Sequence, residues 1–334
     1  MIGSSRNDES LVSLNDVQGD VLSIRHLIDL DDVSLEDLMI IFRTTKAMKE
    51  VMRSGVEKRA TLTGDCVATL FYESSTRTRA SFELAAKRLG AHVINVSSLG
   101  SSVDKGESLS DTASTLESMG ADVIVIRHSH SGAPYLLSKK LQRASIINAG
   151  DGQHAHPTQA LLDIYTMWEK FGPLKSKKIV IIGDVIHSRV TRSNILGLSK
   201  MGAQVVLCGP PTLLPSYIGH QSSKAVFPNV EVTTNVDEAV VGADVVMALR
   251  IQMERQKSDC ITSIGEYTKL WQVNAERMSR ANQNAIVMHP GPMNGSVEIS
   301  KEVISSEASL INDQVGNGVA VRMALLYLMR KNRE

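Results

Sequence analysis

Eight short apolar runs recur along the chain: CVATLFY (66–72), HVINV (92–96), DVIVIR (122–127), SIINAG (145–150), KIVIIGD (178–184), QVVLCG (204–209), DVVMAL (244–249) and AIVMHP (285–290). None alternates apolar with polar. A strand with one wet face alternates, whereas a strand apolar throughout is buried on both faces, as in a parallel sheet covered by helices. The segments between the runs carry helical spacing. SLEDLMIIFRTTKAMKEV has Ser34 as a cap and Asp37 three residues later, and Leu38, Ile41, Phe42 and Thr45 then share a face. RTRASFELAAKRLG buries Phe82, Ala85, Ala86 and Leu89 and ends at Gly90, and GNGVAVRMALLYLMRKN reads as a long C-terminal helix. Repeated βαβ units predict an α/β protein with two doubly wound domains, each a mostly parallel sheet flanked by helices.

At 334 residues the chain has room for two domains. The break falls near WEKFGPLKSKK (168–178), where Gly172 and Pro173 end a helix, leaving four or five strands in each half. The division drawn is a loosely ordered N-terminal extension (1–24), a first domain (25–165), a second (166–305) and the C-terminal helix (306–334). With 36 basic and 36 acidic residues the formal net charge is zero, which argues against bulk binding to nucleic acid or anionic membrane. Cys66, Cys208 and Cys260 are too few and too irregular for a disulfide framework or a zinc motif. The polar start, MIGSSRNDESLVSLND, lacks the apolar centre of a signal peptide, and no run approaches a membrane span. A cytoplasmic protein is expected.

Ligands of such sheets sit at the carboxyl ends of the strands, and here those ends are rich in cations. CVATLFY runs straight into ESSTRT, which opens a helix. A helix N-terminus offers free N–H groups and a positive dipole end; Ser75, Thr76, Thr78 and the Arg77 guanidinium added there make an anion site. Capping by Ser75 or Thr76 alone would not account for the whole cluster. Other ends carry Arg127 and His128, His156 before a helix that starts on Pro157, Arg189, Arg250 with Gln252, and the HPGP stretch 289–292. A lone arginine after a strand is usually a surface ion pair, but several on one edge are harder to explain so. HSH (128–130) and HAH (154–156) lack a partner at ligand spacing, so no metal is expected. IVIIGDV is not followed by G-x-G-x-x-G, which speaks against a dinucleotide cofactor, and there is no Walker A sequence or nucleophile elbow.

STRTR after a strand, HPTQALLD, LRIQMER and HPGP, in that order, resemble the aspartate/ornithine carbamoyltransferase family from about residue 26 to the C-terminus. Three features resemble its aspartate branch: Glu73 in place of lysine, LRIQMER in place of a D-x-x-x-S-M-G motif, and HPGP in place of H-C-L-P. The resemblance implies transfer of a carbamoyl group from carbamoyl phosphate to L-aspartate without cofactor, in pyrimidine biosynthesis. It implies that the first domain binds carbamoyl phosphate, the second binds aspartate, and the C-terminal helix packs back on the first. Ser75, Thr76, Arg77 and Thr78 would hold the phosphate, and Arg127, His156 and Gln159 the carbamoyl group. Arg189, Arg250 and Gln252 would hold the aspartate carboxylates, with Pro290 and Gly291 facing the reacting groups. SSVDKGESLSDT (101–112) resembles a loop given to a neighbouring subunit, so Ser101 and Lys105 would act across a homotrimer interface; read alone, Lys105 is a surface lysine. Assembly with regulatory or dihydroorotase chains is left open by the resemblance. One departure is Gly295, where related bacterial chains usually carry arginine. Alternatives are another amine acceptor, such as ornithine, and a non-catalytic scaffold; the scaffold would have no need of the phosphate loop.

Overall fold

The structure, a computed structural model, describes residues 13–53, 61–97, 107–216, 218, 229–252, 261 and 263–331. Ser101 and Lys105 lie outside them. Ser34 and Asp37 form a capping box at α1 (Leu35–Arg53): Asp37 N donates to Ser34 Oγ over 3.0 Å and Ser34 N donates to Asp37 Oδ2 over 3.1 Å. Leu38, Ile41, Phe42 and Thr45 are buried on its inner face.

The first sheet contains β1 (Cys66–Phe71), β2 (His92–Ser97), β3 (Val123–His128) and β4 (Ser145–Asp151), all parallel, in the order β2-β1-β3-β4. Helices α2 (Thr76–Arg88), α3 (Leu109–Ser118) and α4 (Ala133–Lys140) connect the strands, and α5 (Pro157–Phe171) follows them. Side chains of β1 alternate between two cores. Val67 and Phe71 join the cluster that holds Phe42 and Phe82, whereas Ala68 and Leu70 join one holding Leu116 and Leu137. Burial on both faces is therefore why the strands read as unbroken apolar runs.

The second sheet contains β5 (Lys178–Ile182), β6 (Gln204–Cys208), β7 (Val230–Thr233), β8 (Val245–Ala248) and β9 (Ile286–Met288), again parallel, in the order β7-β6-β5-β8-β9. Its helices are α6 (Arg189–Lys200), α7 (Val236–Ala239), α8 (Ile264–Trp271), α9 (Ala275–Met278) and α10 (Lys301–Ile304). The last helix, α11 (Ile311–Lys331), returns to pack on α1, α2 and α5.

Two expectations change. Residues from Ser13 onward are packed rather than loose: a 3₁₀ turn at Leu14–Val17 buries Leu14 and Val17, Leu22 is buried as well, and Ser23 bonds Asp37 through both its N–H and its hydroxyl. The three apolar side chains join the cluster that includes Phe42. The strand β7 was not among the eight runs. It is a four-residue edge strand with Val230 buried and Glu231 exposed, so it lacks the two-sided burial that marks the others. In addition α5 continues unbroken past residue 165 and ends at Gly172, whose φ is +71°.

Both sheets reverse direction once. In the first, the chain passes from β1 to β2 on one side and then crosses back to β3 on the other side of β1; in the second, it passes from β5 to β6 and β7 on one side and then crosses back to β8 on the other side of β5. At such a switch point two neighbouring loops part and leave a crevice. The crevices at β1/β3 and at β5/β8 open onto one shared cavity, because residues at the carboxyl ends of all four strands line it: those after β1, β5 and β8, and Arg127 near the end of β3.

Candidate active site

The cavity has a volume of about 600 Å³. Every residue given a site role by the resemblance that lies in the described segments lines it: Ser75, Thr76, Arg77 and Thr78 from the turn after β1, Arg127 from β3, His156 and Gln159 from the start of α5, Arg189 from α6, Arg250 and Gln252 after β8, and Pro290 and Gly291 after β9; His128, the last residue of β3, does not.

At the β1 turn the hydroxyl of Ser75 does not cap the helix. It donates to Thr78 Oγ1 over 2.9 Å, and no side chain caps the start of α2. The first-turn N–H groups thus face the cavity together with the dipole end of the helix, and the capping explanation for this cluster falls away. Arg77, the second residue of α2, lies flush against the HPGP stretch, where a Cβ on Gly291 would sit 3.3 Å from its guanidinium. Gly291 N donates to His289 Nδ1 over 2.8 Å, which fixes the turn from behind.

Glu73 joins the two sheets. Its Oε1 accepts from Arg127 Nη2, and Arg189 donates to both oxygens, Nη2 to Oε1 over 2.6 Å and Nη1 to Oε2 over 3.0 Å. Arg127 also donates to Ala149 O, near the end of β4, and Arg189 to Gly152 O, just after it, so each guanidinium is held by this strand end as well. The end of β4 passes very close to them. A Cβ on Gly150, whose φ is +116°, would lie 2.9 Å from Arg127 Nη1 and 2.9 Å from Arg189 Cζ. Gln252 Nε2 donates to His187 O over 3.1 Å, and its backbone N–H reaches Asp184 Oδ2.

Among the described residues five guanidiniums, those of Arg77, Arg127, Arg189, Arg250 and Arg322, line the cavity against one carboxylate, Glu73. Burial and the nearby Arg250 both lower the pKa of Arg77. Burial, then Arg127, Arg189 and Arg322, hold His156 well below the usual imidazole range, so it is neutral near pH 7. His289 is driven to about 3 by burial, then by Arg77 and Arg250. Among the described residues no group of three or more His, Cys, Asp or Glu could hold a metal ion, and no helix is long and apolar enough to cross a membrane. A cavity with this charge accepts a small, multiply anionic molecule.

Residues 25–169 match the aspartate/ornithine carbamoyltransferase carbamoyl-P binding domain, and residues 175–329 match the Asp/Orn binding domain of the same family. The chain belongs to the aspartate/ornithine carbamoyltransferase family. It is 52% identical over 321 residues to the aspartate carbamoyltransferase catalytic subunit of Dehalococcoides mccartyi (strain CBDB1), covering 96% of each chain. It is 51% identical over 304 residues to that of Roseiflexus sp. (strain RS-1), covering 91% of this chain and 94% of the relative. Similar solved structures include aspartate transcarbamoylase from Trypanosoma cruzi in complex with N-(phosphonacetyl)-L-aspartic acid, with a TM-score of 0.82 and 30% identity over 95% of this chain and 98% of that one. Ornithine carbamoyltransferase from Pyrococcus furiosus is nearly as similar, at 0.80 and 30% over 91% and 96%. Fold alone therefore does not separate the two branches of the carbamoyltransferase family.

The cavity of this carbamoyltransferase also holds residues that sequence reasoning did not assign. Glu73 served only to tell the branches apart, and its Arg127 and Arg189 partners lie 54 and 116 residues away. Arg322 is a cation inside the apolar stretch VAVRMALLYL and is only 4% exposed; that interruption was the visible signal. Gln314 sits on the same helix and accepts from His289 N over 2.9 Å. At the Gly295 departure, a Cβ would meet nothing within 4 Å. The loop is held by its neighbours instead, since Asn294 Nδ2 donates to Ile251 O and to Glu298 Oε1.

Proposed function

We propose that this chain catalyses transfer of the carbamoyl group from carbamoyl phosphate to the amine of L-aspartate, giving N-carbamoyl-L-aspartate and phosphate. The observation that carries the reading is the meeting of two switch points on one cationic cavity. The first-sheet edge presents the phosphate-type helix start, and the second-sheet edge presents two further guanidiniums, Arg189 and Arg250. Two cations suit a dicarboxylate acceptor, whereas the amine-bearing side chain of ornithine calls for acidic or neutral partners. The relatives named above are aspartate enzymes, which supports the same choice.

In this reading the phosphate lies at the start of α2, on Ser75, Thr76, Arg77 and Thr78. Gln159 accepts from the carbamoyl NH₂, Arg189, Arg250 and Gln252 hold the aspartate carboxylates, and the backbone at Pro290 and Gly291 faces the reacting groups. The neutral amine attacks the carbonyl carbon and forms a C–N bond, and the carbonyl electrons move onto oxygen. Thr78, Arg127 and His156 donate to that oxyanion; His156, being neutral, offers an N–H rather than a charge. Collapse breaks the bond to phosphate, and the proton lost from the amine passes to the departing phosphate. Positioning and electrostatic stabilisation suffice, with no protein nucleophile. Of Arg189's five N–H groups, three are spent on Glu73 and Gly152, leaving two for a carboxylate. Incubation with carbamoyl phosphate and aspartate should give carbamoyl-aspartate by colorimetry, with ornithine as the control acceptor. Citrulline in place of carbamoyl-aspartate, or neither product, overturns the reading.

The working unit in this reading is a homotrimer in the cytoplasm, with Ser101 and Lys105 completing the site of the adjacent subunit, as the family resemblance implies. Trimers of Lys105→Ala and of Arg250→Ala should each be nearly inactive. Dissociated and reassembled in equal mixture, they should recover about a quarter of the sites, since a site is intact when its body and its loop each come from the undamaged source. Verified mixed trimers without activity would leave Lys105 a surface residue.

A further inference from the structure

We propose that Asp163, which lies outside the cavity lining, fixes the polarity of the Gln159 amide and so lets the site distinguish a carbamoyl group from an acyl group of the same shape. The proposal rests on the reading that Gln159 meets the carbamoyl NH₂. Asp163 follows Gln159 by one turn of α5, on the same face, and is fully buried. Three amide side chains turn their NH₂ groups to its carboxylate. Gln159 Nε2 donates to Oδ1 over 2.9 Å, Gln314 Nε2 to Oδ1 over 2.8 Å and Asn194 Nδ2 to Oδ2 over 3.0 Å. They come from α5, α11 and α6, so the carboxylate ties both sheets' helices and the returning C-terminal helix at one point.

The two ends of an amide are nearly the same shape, and only their partners decide which is which. Two of the three amides are oriented independently of Asp163. Gln314 Oε1 takes the His289 N–H over 2.9 Å, which leaves its NH₂ for Asp163, and Asn194 Nδ2 also donates to Val190 O over 3.1 Å. Among the described residues Gln159 has no such second constraint. Its amide is fixed by the carboxylate, which accepts and does not donate. With the NH₂ held at Asp163, the Gln159 carbonyl oxygen is the end left for the cavity it lines.

That oxygen is an acceptor and nothing else. A carbamoyl NH₂ satisfies it. The methyl of an acetyl group, close in size, does not, and leaves a desolvated carbonyl without a partner. A flipped amide would reverse the preference by setting NH₂ against NH₂. The burial is itself costly: it raises the pKa of Asp163 to about 6, against the opposing pull of the three amides and of Arg322. A carboxylate at a purely architectural junction has no such requirement, since well-packed apolar groups serve as well.

The test is Asp163→Asn, which keeps the shape but can donate to a flipped Gln159. Affinities for carbamoyl phosphate, acetyl phosphate and inorganic phosphate are measured by calorimetry, which needs no turnover and so stands apart from the product assay. Carbamoyl phosphate binding should weaken by roughly 5- to 150-fold, the loss expected when a buried polar group goes unpaired. Inorganic phosphate, held at the start of α2, should change by no more than about 2-fold, so the preference for carbamoyl over acetyl phosphate collapses. In a Gln159→Met background the added Asp163→Asn should leave that preference where Gln159→Met alone puts it. If Asp163→Asn does not fold, Asp163→Ser removes the same acceptor and is read by the same ratio. An unchanged carbamoyl-to-acetyl ratio, or equal weakening of all three ligands, reduces Asp163 to a structural junction. A wild-type chain that binds carbamoyl phosphate yet makes no carbamoyl-aspartate would instead sink the proposed reaction and leave this inference standing.

Discussion

Replacing Arg77 by alanine is expected to lower kcat by about 10²- to 10³-fold while moving the KM for carbamoyl phosphate far less, the scale seen when one well-placed donor to developing charge is lost. Arg77 stands at the second position of α2, where the dipole end and the first-turn N–H groups already attract the phosphate in the ground state. What those groups do not supply is a full, desolvated positive charge next to the bond that breaks. As phosphate leaves, its charge rises, and the contribution of Arg77 rises with it. Its setting favours that use: burial and the neighbouring Arg250 both destabilise the guanidinium until an anion arrives. Steady-state kinetics separates the alternatives, because a large rise in KM at unchanged kcat would assign Arg77 to uniform binding instead.

Glu73→Ala should impair both substrates at once. The carboxylate lies between Arg127, which closes β3, and Arg189, which opens α6 on the other sheet. Both guanidiniums crowd the space a Cβ on Gly150 would occupy. With the carboxylate gone, the two guanidiniums that meet on Glu73 Oε1 are left facing each other, and like unit charges about 4 Å apart repel by about 4 kcal/mol at an effective dielectric constant near 20. They can relieve this only by swinging out of position or by parting the two sheet edges. An expected fall of about 10²-fold in kcat/KM for aspartate follows, with weaker carbamoyl phosphate binding measured separately. Glu73→Gln should fall between, since its amide oxygen can still accept where Oε1 does from Arg127 and Arg189, while its NH₂ cannot accept from Arg189 Nη1 and the charge is lost. Wild-type kinetics in Glu73→Ala would mean that other partners position Arg127 and Arg189.

The strands were legible because burial on two faces is written directly into composition, as in VIVI of β3, buried throughout. The edge strand β7 was not, since one exposed glutamate in VEVT removes that mark. The cavity lining could be read where chemistry sits next to a strand end, as at STRT and HPTQ. It could not be read where the partner is distant in sequence. Nothing in ESSTRT says that Glu73 will meet Arg189 across 116 residues. Asp163 and Arg322 were half legible: each interrupts a buried helical stripe, and a charge there requires a partner. Which partner is a property of the packing of α5, α6 and α11, and local pattern does not contain it.

The return of α11 has a consequence for how the protein is made. Ile311–Lys331 completes the core around Phe42, Phe82 and Leu161, yet it is synthesised only after the whole second sheet. At about 5–20 residues per second, synthesis of the stretch from Gly172 to Leu310 takes on the order of ten seconds. Throughout that interval the inner faces of α1, α2 and α5 stand uncovered. Their greasy surface is then a target for chaperones, or for other nascent copies, until the final helix arrives. A chain that stops before residue 311 is therefore not a smaller version of the enzyme but one with its earliest-made half left open.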